Sequence, residues 1–332
     1  MFAATGPSPK AHAGTWQTGP TLMDKPTPYV VLMVKADRAA IAAANQAKMR
    51  RSAMSIGSRR RWLRRQHGYA RQAVALYEKA LRAKPNRAEP HYRAATVMYF
   101  HFFAGQPERC HRLKRMCLQV INHWHGFEKA APLDPRNLDY LFQRALLYTT
   151  LAEKRYYKKA VADYMKLINS TRFLSMGRDR ATTLGNLAEI YMMLTDIDKA
   201  LPMYKRALAA GDQALHAYGM AVALDRDGRG EKARELMRRY AEGRVNRATG
   251  KLKELSRDGV FFVPAGEIYY YHALSYEARG ELGSAVVYYQ KFLSSGAHPK
   301  FQARAKENLK RLRKQLLTQF KKQPPMISPV LP

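Results

Sequence analysis

A pattern of small and large apolar residues recurs at a fixed interval between Arg180 and Tyr240. Leu184, Leu187, Ala188, Tyr191, Ala200, Tyr204 and Ala207 set the pattern, and Ala221, Leu224, Ala233, Met237 and Tyr240 restate it 33 residues later. Self-similarity at this period belongs to a two-helix unit. The cause is packing. Two antiparallel helices approach closely only where small side chains meet, and large ones fill the spaces beside the crossing. Ala188 then faces Ala200 and Ala221 faces Ala233, with Tyr204 and Met237 as fillers.

The same spacing extends in both directions. A third unit carries Leu141, Ala145, Tyr148, Ala160, Tyr164 and Leu167, and a sixth carries Tyr269, Ala273, Tyr276, Ala285, Tyr289 and Phe292. The second unit, from Glu89 to Pro135, has Ala95 at the small position and Phe127, Ala130 and Pro135 at its end. Its inserted middle reads as a helix opened by Pro107, with Leu113, Met116, Cys117, Val120 and Trp124 on one side. The first unit keeps only its second half, Ala73, Tyr77, Ala80 and Pro85. Arg61 stands where a small residue is needed, so this is a half-repeat, or its first helix is the Ala-rich segment 36–54.

Taken together, these residues resemble the tetratricopeptide repeat family. The resemblance implies an all-α, right-handed α-solenoid of about five to six helix pairs over residues 36–298, best matched over 70–295. It also implies that the first helix of each pair lines a concave groove. Function is not implied, because one such scaffold hosts many partners. Outside the repeats, residues 1–35 read as an extended arm rich in Pro, Gly and Thr, in which Tyr29 to Val34 could start a strand or a helix. Residues 299–320 read as a capping helix, with Ala305, Leu309, Leu312, Leu316 and Phe320 on one face and Lys306, Lys310, Arg311, Arg313 and Lys314 on the other. Residues 321–332 form a Pro-rich tail.

The net charge of +32 on 332 residues is far from the ordinary balance. Such a surface attracts polyanions or anionic membranes, or simply keeps a long repeat protein soluble. Residues 50–82 hold ten bases against Glu78 alone, whereas residues 181–250 are near balance with 11 bases and 9 acids. Arg50, Arg51, Arg59, Arg60, Arg61, Arg64 and Arg65, with Trp62 among them, have the composition of a phosphate-binding surface, and also that of a solvated helix face. Lys310, Arg311, Arg313 and Lys314 form the second such set.

In the resembling family, one groove position lies three residues before the small crossing residue. Here it holds Tyr92, Phe142, Gly185, Tyr218 and Tyr270. An aromatic ladder of this kind, Tyr92, Phe142, Tyr218 and Tyr270, can grip an extended peptide or stack on bases; the alternative is packing on neighbouring helices. The Lys and Asn that clamp chaperone C-termini in one subclass are replaced by aromatics or Gly and by Thr96, Leu146, Glu189, Val222 and Leu274, so no chaperone carboxylate clamp is expected.

No nucleophile elbow, phosphate-binding glycine loop or paired metal motif is present, so no cofactor or metal is expected and the chain reads as non-enzymatic. Five of the ten histidines, His91, His101, His111, His123 and His125, fall in the second unit without converging spacing. Cys110 and Cys117 lie seven apart, which in one continuous helix is a rise of about 10 Å, too far for a disulfide. Two free thiols suit a reducing compartment, intracellular or an organelle matrix. No apolar run is long enough to span a membrane. The expected partners are other protein subunits of a larger assembly. RNA, as in a ribonucleoprotein, is the alternative, and an anionic membrane or cell-envelope surface is the third.

Overall fold

A computed structural model describes residues 27–53, 55–103, 113–175, 178–211, 214–241 and 266–322. Among these residues every regular element is helical. The helices sort into two compact units, Met1–Leu167 and Ile168–Pro332.

The first unit opens with α1 (Pro28–Ser52), which carries Pro in its first turn, where the missing N–H has no helical partner to lose. Residues 28–35 are therefore the start of this helix rather than part of an extended arm, and the run Tyr29 to Val34 is helical. The long α2 (Ile56–Ala83) follows, its first turn capped by Ser55, whose side chain accepts from the Ser58 amide at 3.1 Å. Ala36, Ala39 and Ala43 of α1 are buried with Ala70, Ala73, Tyr77 and Ala80 of α2 in one core. Of the two readings of the first unit, the Ala-rich helix is the partner. Arg61 is exposed, well away from the alanine seam.

Next come α3 (Ala88–Met98), running on into a π-helical turn (Tyr99–Phe103), then α4 (Lys114–His125), α5 (Phe127–Leu133), α6 (Leu138–Leu151) and α7 (Lys154–Ile168). Ala95, Ala130, Ala145, Ala160 and Tyr164 are buried, as the repeat pattern requires. Two expectations fail in the inserted middle of this unit. Cys117 is buried as expected, but Leu113 and Met116 are exposed and Ile121 is buried instead, so the apolar face is turned from the one expected. Cys117 is also disulfide-bonded. The distance argument assumed one unbroken helix through both cysteines; α4 begins only at Lys114, so the helical rise does not separate them. Cys110, the other cysteine of the chain, and the start at Pro107 lie outside the described residues.

The second unit contains α8 (Arg178–Met193), α9 (Ile197–Ala210), α10 (Ala214–Arg226), α11 (Gly230–Ala241), α12 (Glu267–Ala278), α13 (Leu282–Ser294) and α14 (Gln302–Lys322). Its core joins Ala188, Ala200, Tyr204, Ala221, Ala233, Met237, Ala273, Ala285 and Tyr289, the repeat residues themselves. Helix pairs turn tightly: Asp196 caps α9 by accepting from the Lys199 amide at 3.3 Å, and Gly228 takes φ +83° between α10 and α11. The terminal helix is preceded by a 3-10 turn, Pro299–Phe301. Ala305, Leu309 and Leu312 are buried as expected of a cap, but Phe320 is 68% exposed, so the packed face does not reach the end of α14.

Candidate interaction surfaces

The expected aromatic ladder divides between the units. In the first unit, Tyr92 on α3 is half-buried, with its ring 4.6 Å from Tyr140 and 5.9 Å from Phe127. Phe142 on α6 is half-buried against Tyr164 at 6.3 Å. Neighbouring first-helix residues Arg93, Thr96 and Arg144 also keep partial exposure. These side chains are fixed from behind. Arg93 pairs with Asp37 at 2.6 Å, and Arg144 forks onto Asp163 at 2.8 and 2.7 Å.

In the second unit the same positions are closed. Tyr218 and Tyr270 are inside the core, so neither offers a face to a partner, and the expectation that they grip a ligand is corrected. Gly185 breaks the aromatic series because the His216 ring from α10 lies against it; a Cβ there would collide with the imidazole. That ring is buried with neither nitrogen hydrogen-bonded among the described residues, and burial lowers its pKa to about 4.

A polar network seals this interior. Asp225 on α10 accepts from the Tyr270 hydroxyl at 2.5 Å, from Asn308 Nδ2 at 2.8 Å and from Arg304 at 3.0 Å. Glu277 on α12 pairs with Arg311 at 2.6 Å and Arg234 at 2.7 Å. Arg311, of the expected polyanion set, is thus paired with a buried carboxylate while its own side chain keeps 35% of its surface. Arg226 is buried against Glu267 at 2.8 Å, with its guanidinium 4.2 Å from the Phe301 ring centre. Burial alone would raise the Glu267 carboxyl, but Arg226 beside it holds it below its usual value. Glu189 accepts from the hydroxyls of Tyr204 and Tyr271, and burial pushes its carboxyl up to about 8 although those bonds and Arg226 oppose the shift. The apolar repeat pattern gives Asp225, Glu277 and Asn308 no part.

The basic sets are mostly on the surface. Arg59, Arg60, Arg61, Arg64 and Arg65 are exposed on the first half of α2, and Arg50 lies half-buried at the end of α1; the Arg51 side chain lies outside the described residues. Arg60, Arg61, Arg64 and Arg65 make no ion pair among the described residues. Arg65 lies 5.3 Å over the Trp62 ring. On α14, Lys310, Arg313 and Lys314 are exposed. The two sets belong to different units.

No family model matches the chain, and no curated protein matches it. Among solved structures, it is similar to Pseudomonas aeruginosa PilF at 15% identity and TM-score 0.48, covering 82% of this chain and 97% of that one. It is also similar to a tetratricopeptide repeat protein from Parabacteroides merdae at 16% identity and TM-score 0.38, over 86% of this chain and 98% of the other. A third likeness is to the P58(IPK) TPR domain, at 15% identity and TM-score 0.23, over 77% and 96%. The helix pairs described above, with alanine at their crossings, are tetratricopeptide-like in fold.

Proposed function

We propose that this chain is a non-enzymatic scaffold that holds another protein subunit against the first helices of its first unit. The observation that carries the reading is the contrast at the ladder position. Tyr92 and Phe142 keep partial exposure on braced helices, while Tyr218 and Tyr270 are buried, Tyr270 with its hydroxyl bonded to Asp225. Rings already held by packing on one another and still partly exposed lose little entropy on binding an extended apolar segment.

The experiment is purification of the tagged chain from its own cells at low salt, with and without nuclease, beside a Phe142→Asp variant. A fixed set of proteins should survive nuclease and be lost from Phe142→Asp with its helicity intact. Partners that leave with the nuclease, or that ignore the substitution, reject the reading. The alternative, a subunit of a ribonucleoprotein, draws its support from the acid-free arginine face of α2. It requires steep salt dependence, because each phosphate contact releases counterions.

A further inference from the structure

The tip of the α1–α2 hairpin combines two features that the ladder does not use. One is apolar. Ile56, the first residue of α2, is 69% exposed, and Met49 in the last turns of α1 is 47% exposed. The other is cationic. Arg50, Arg59 and Arg60 line an open depression of about 490 Å³ whose remaining walls are Ile56 and Leu63. Arg59 is held there by its Nε, which donates to the Ala53 carbonyl at 2.9 Å. Arg61, Arg64 and Arg65 continue the charge along the next turns.

We propose that this tip docks the protein on an anionic phospholipid bilayer. Ile56 and Met49 would enter the interface while the arginines meet headgroup phosphates. The spacing fits: Arg60 follows Ile56 by one helical turn, a rise of about 6 Å, which matches the depth of about 5–10 Å at which interfacial segments seat their apolar residues. Charge complementarity selects the lipid, since Glu78 is the only acid between residues 50 and 82. RNA fits the same cations less well. Stacking on bases needs free ring faces, and here Trp62 is half-buried beneath Arg65 while His67 stacks on Phe102 at 4.8 Å. Two exposed aliphatic side chains have no use on a nucleic acid and a direct one in a bilayer.

The test is co-sedimentation of the full chain with vesicles of phosphatidylcholine alone and of equimolar phosphatidylcholine and phosphatidylglycerol. Binding is expected only to the anionic vesicles. Arg60→Gln and Arg64→Gln should each lower the partition coefficient about fivefold. Ile56→Ser should lower it about tenfold, and Ile56→Phe should restore or raise it. All three positions are exposed, so helical content should not change, and circular dichroism checks this. Absence of binding to the anionic vesicles overturns the proposal. So does binding that ignores both Ile56 substitutions and is stripped by excess mixed-sequence RNA, which would make the tip a general polyanion site.

Discussion

The two units are built from the same alanine crossings and differ in what they do with polar groups. In the first unit the Asp37–Arg93 pair stands at the water's edge, its side chains keeping 31% and 35% of their surface, while Asp163 beside Arg144 is buried. In the second unit Asp225 keeps none, and Glu267 and Glu277 keep 2% each. A carboxylate removed from water must have its lone pairs filled, and these are filled by Tyr, Asn and Arg from helices far apart in the chain. The second unit is thereby a closed body with one arrangement, and the first retains an accessible face.

The largest test of this contrast is a pair of deletions. Asp225→Ala strips Tyr270, Asn308 and Arg304 of their common buried acceptor, leaving Arg304 only its exposed partner Glu307, and should cost about 3–5 kcal/mol. Asp37→Ala removes the 2.6 Å bonds from Arg93 and the Tyr77 hydroxyl where water can replace much of them, and should cost about 1–2 kcal/mol. Urea unfolding gives the totals, and amide hydrogen exchange assigns each loss to its unit. Equal losses would erase the distinction.

Acidity bears next on one buried group in each unit. The Glu189 carboxyl titrates at about 8 in the folded chain and at about 4.3 when unfolded. A raised folded pKa means its contribution is fully present below the unfolded value and is lost as pH rises through the folded one. The slope is at most about 1.4 kcal/mol per pH unit. Glu189→Gln should therefore gain on the parent protein as pH rises from about 4.5 to about 8 and hold a constant advantage above that. In the first unit, His101 is shifted the other way, to about 4, by burial, with His67 and Arg50 adding to the effect. Its contribution is present above about 6.5 and lost as pH falls towards 4. Unfolding midpoints of the parent, Glu189→Gln and His101→Gln across this range would show opposite slopes.

What the sequence revealed and what it hid follow the same division. Ala188, Ala200, Ala221, Ala233, Ala273 and Ala285 are all buried, because small residues at a helix crossing are a local, periodic demand. The sealed interior was missed because its bonds join residues such as Asp225 and Asn308, 83 apart, whose meeting depends on tertiary placement. One signal was available: Asp225 and Glu277 each stand four residues after a crossing alanine, Ala221 and Ala273. The aromatic ladder misled for a related reason. Spacing reports where a ring sits on its helix, but whether the next helix covers it is decided by the neighbour, as His216 does over Gly185. The cysteines were misjudged by extending a helix past its true start at Lys114.

The disulfide gives a third test, confined to the first unit. A denatured chain should offer no titratable thiol without reductant and two with it, since Cys117 is bonded and the chain has two cysteines. Closing a loop this short stabilises by about 2 kcal/mol in the chain-entropy account. Reductant should therefore speed amide exchange in the first unit and leave the second unchanged. Exchange that rises in both units would mean that their stabilities are coupled, and the comparison would have to be made on the whole chain.

The smallest expected effect has opposite signs in the two units. Gly68 lies within α2, and a Cβ placed there meets nothing within 4 Å. Gly68→Ala should stabilise the first unit by about 0.5–1 kcal/mol, through the lower entropy of the unfolded chain and the better helix propensity of alanine. Gly228 also has open space around its Cβ position but holds φ +83°. Gly228→Ala forces an L-residue into the left-handed region and should destabilise the second unit by about 1 kcal/mol. Space is equal at the two sites, so only backbone conformation separates them. If both substitutions shift thermal unfolding in the same direction, the tight turn between α10 and α11 is not what fixes the second unit's packing.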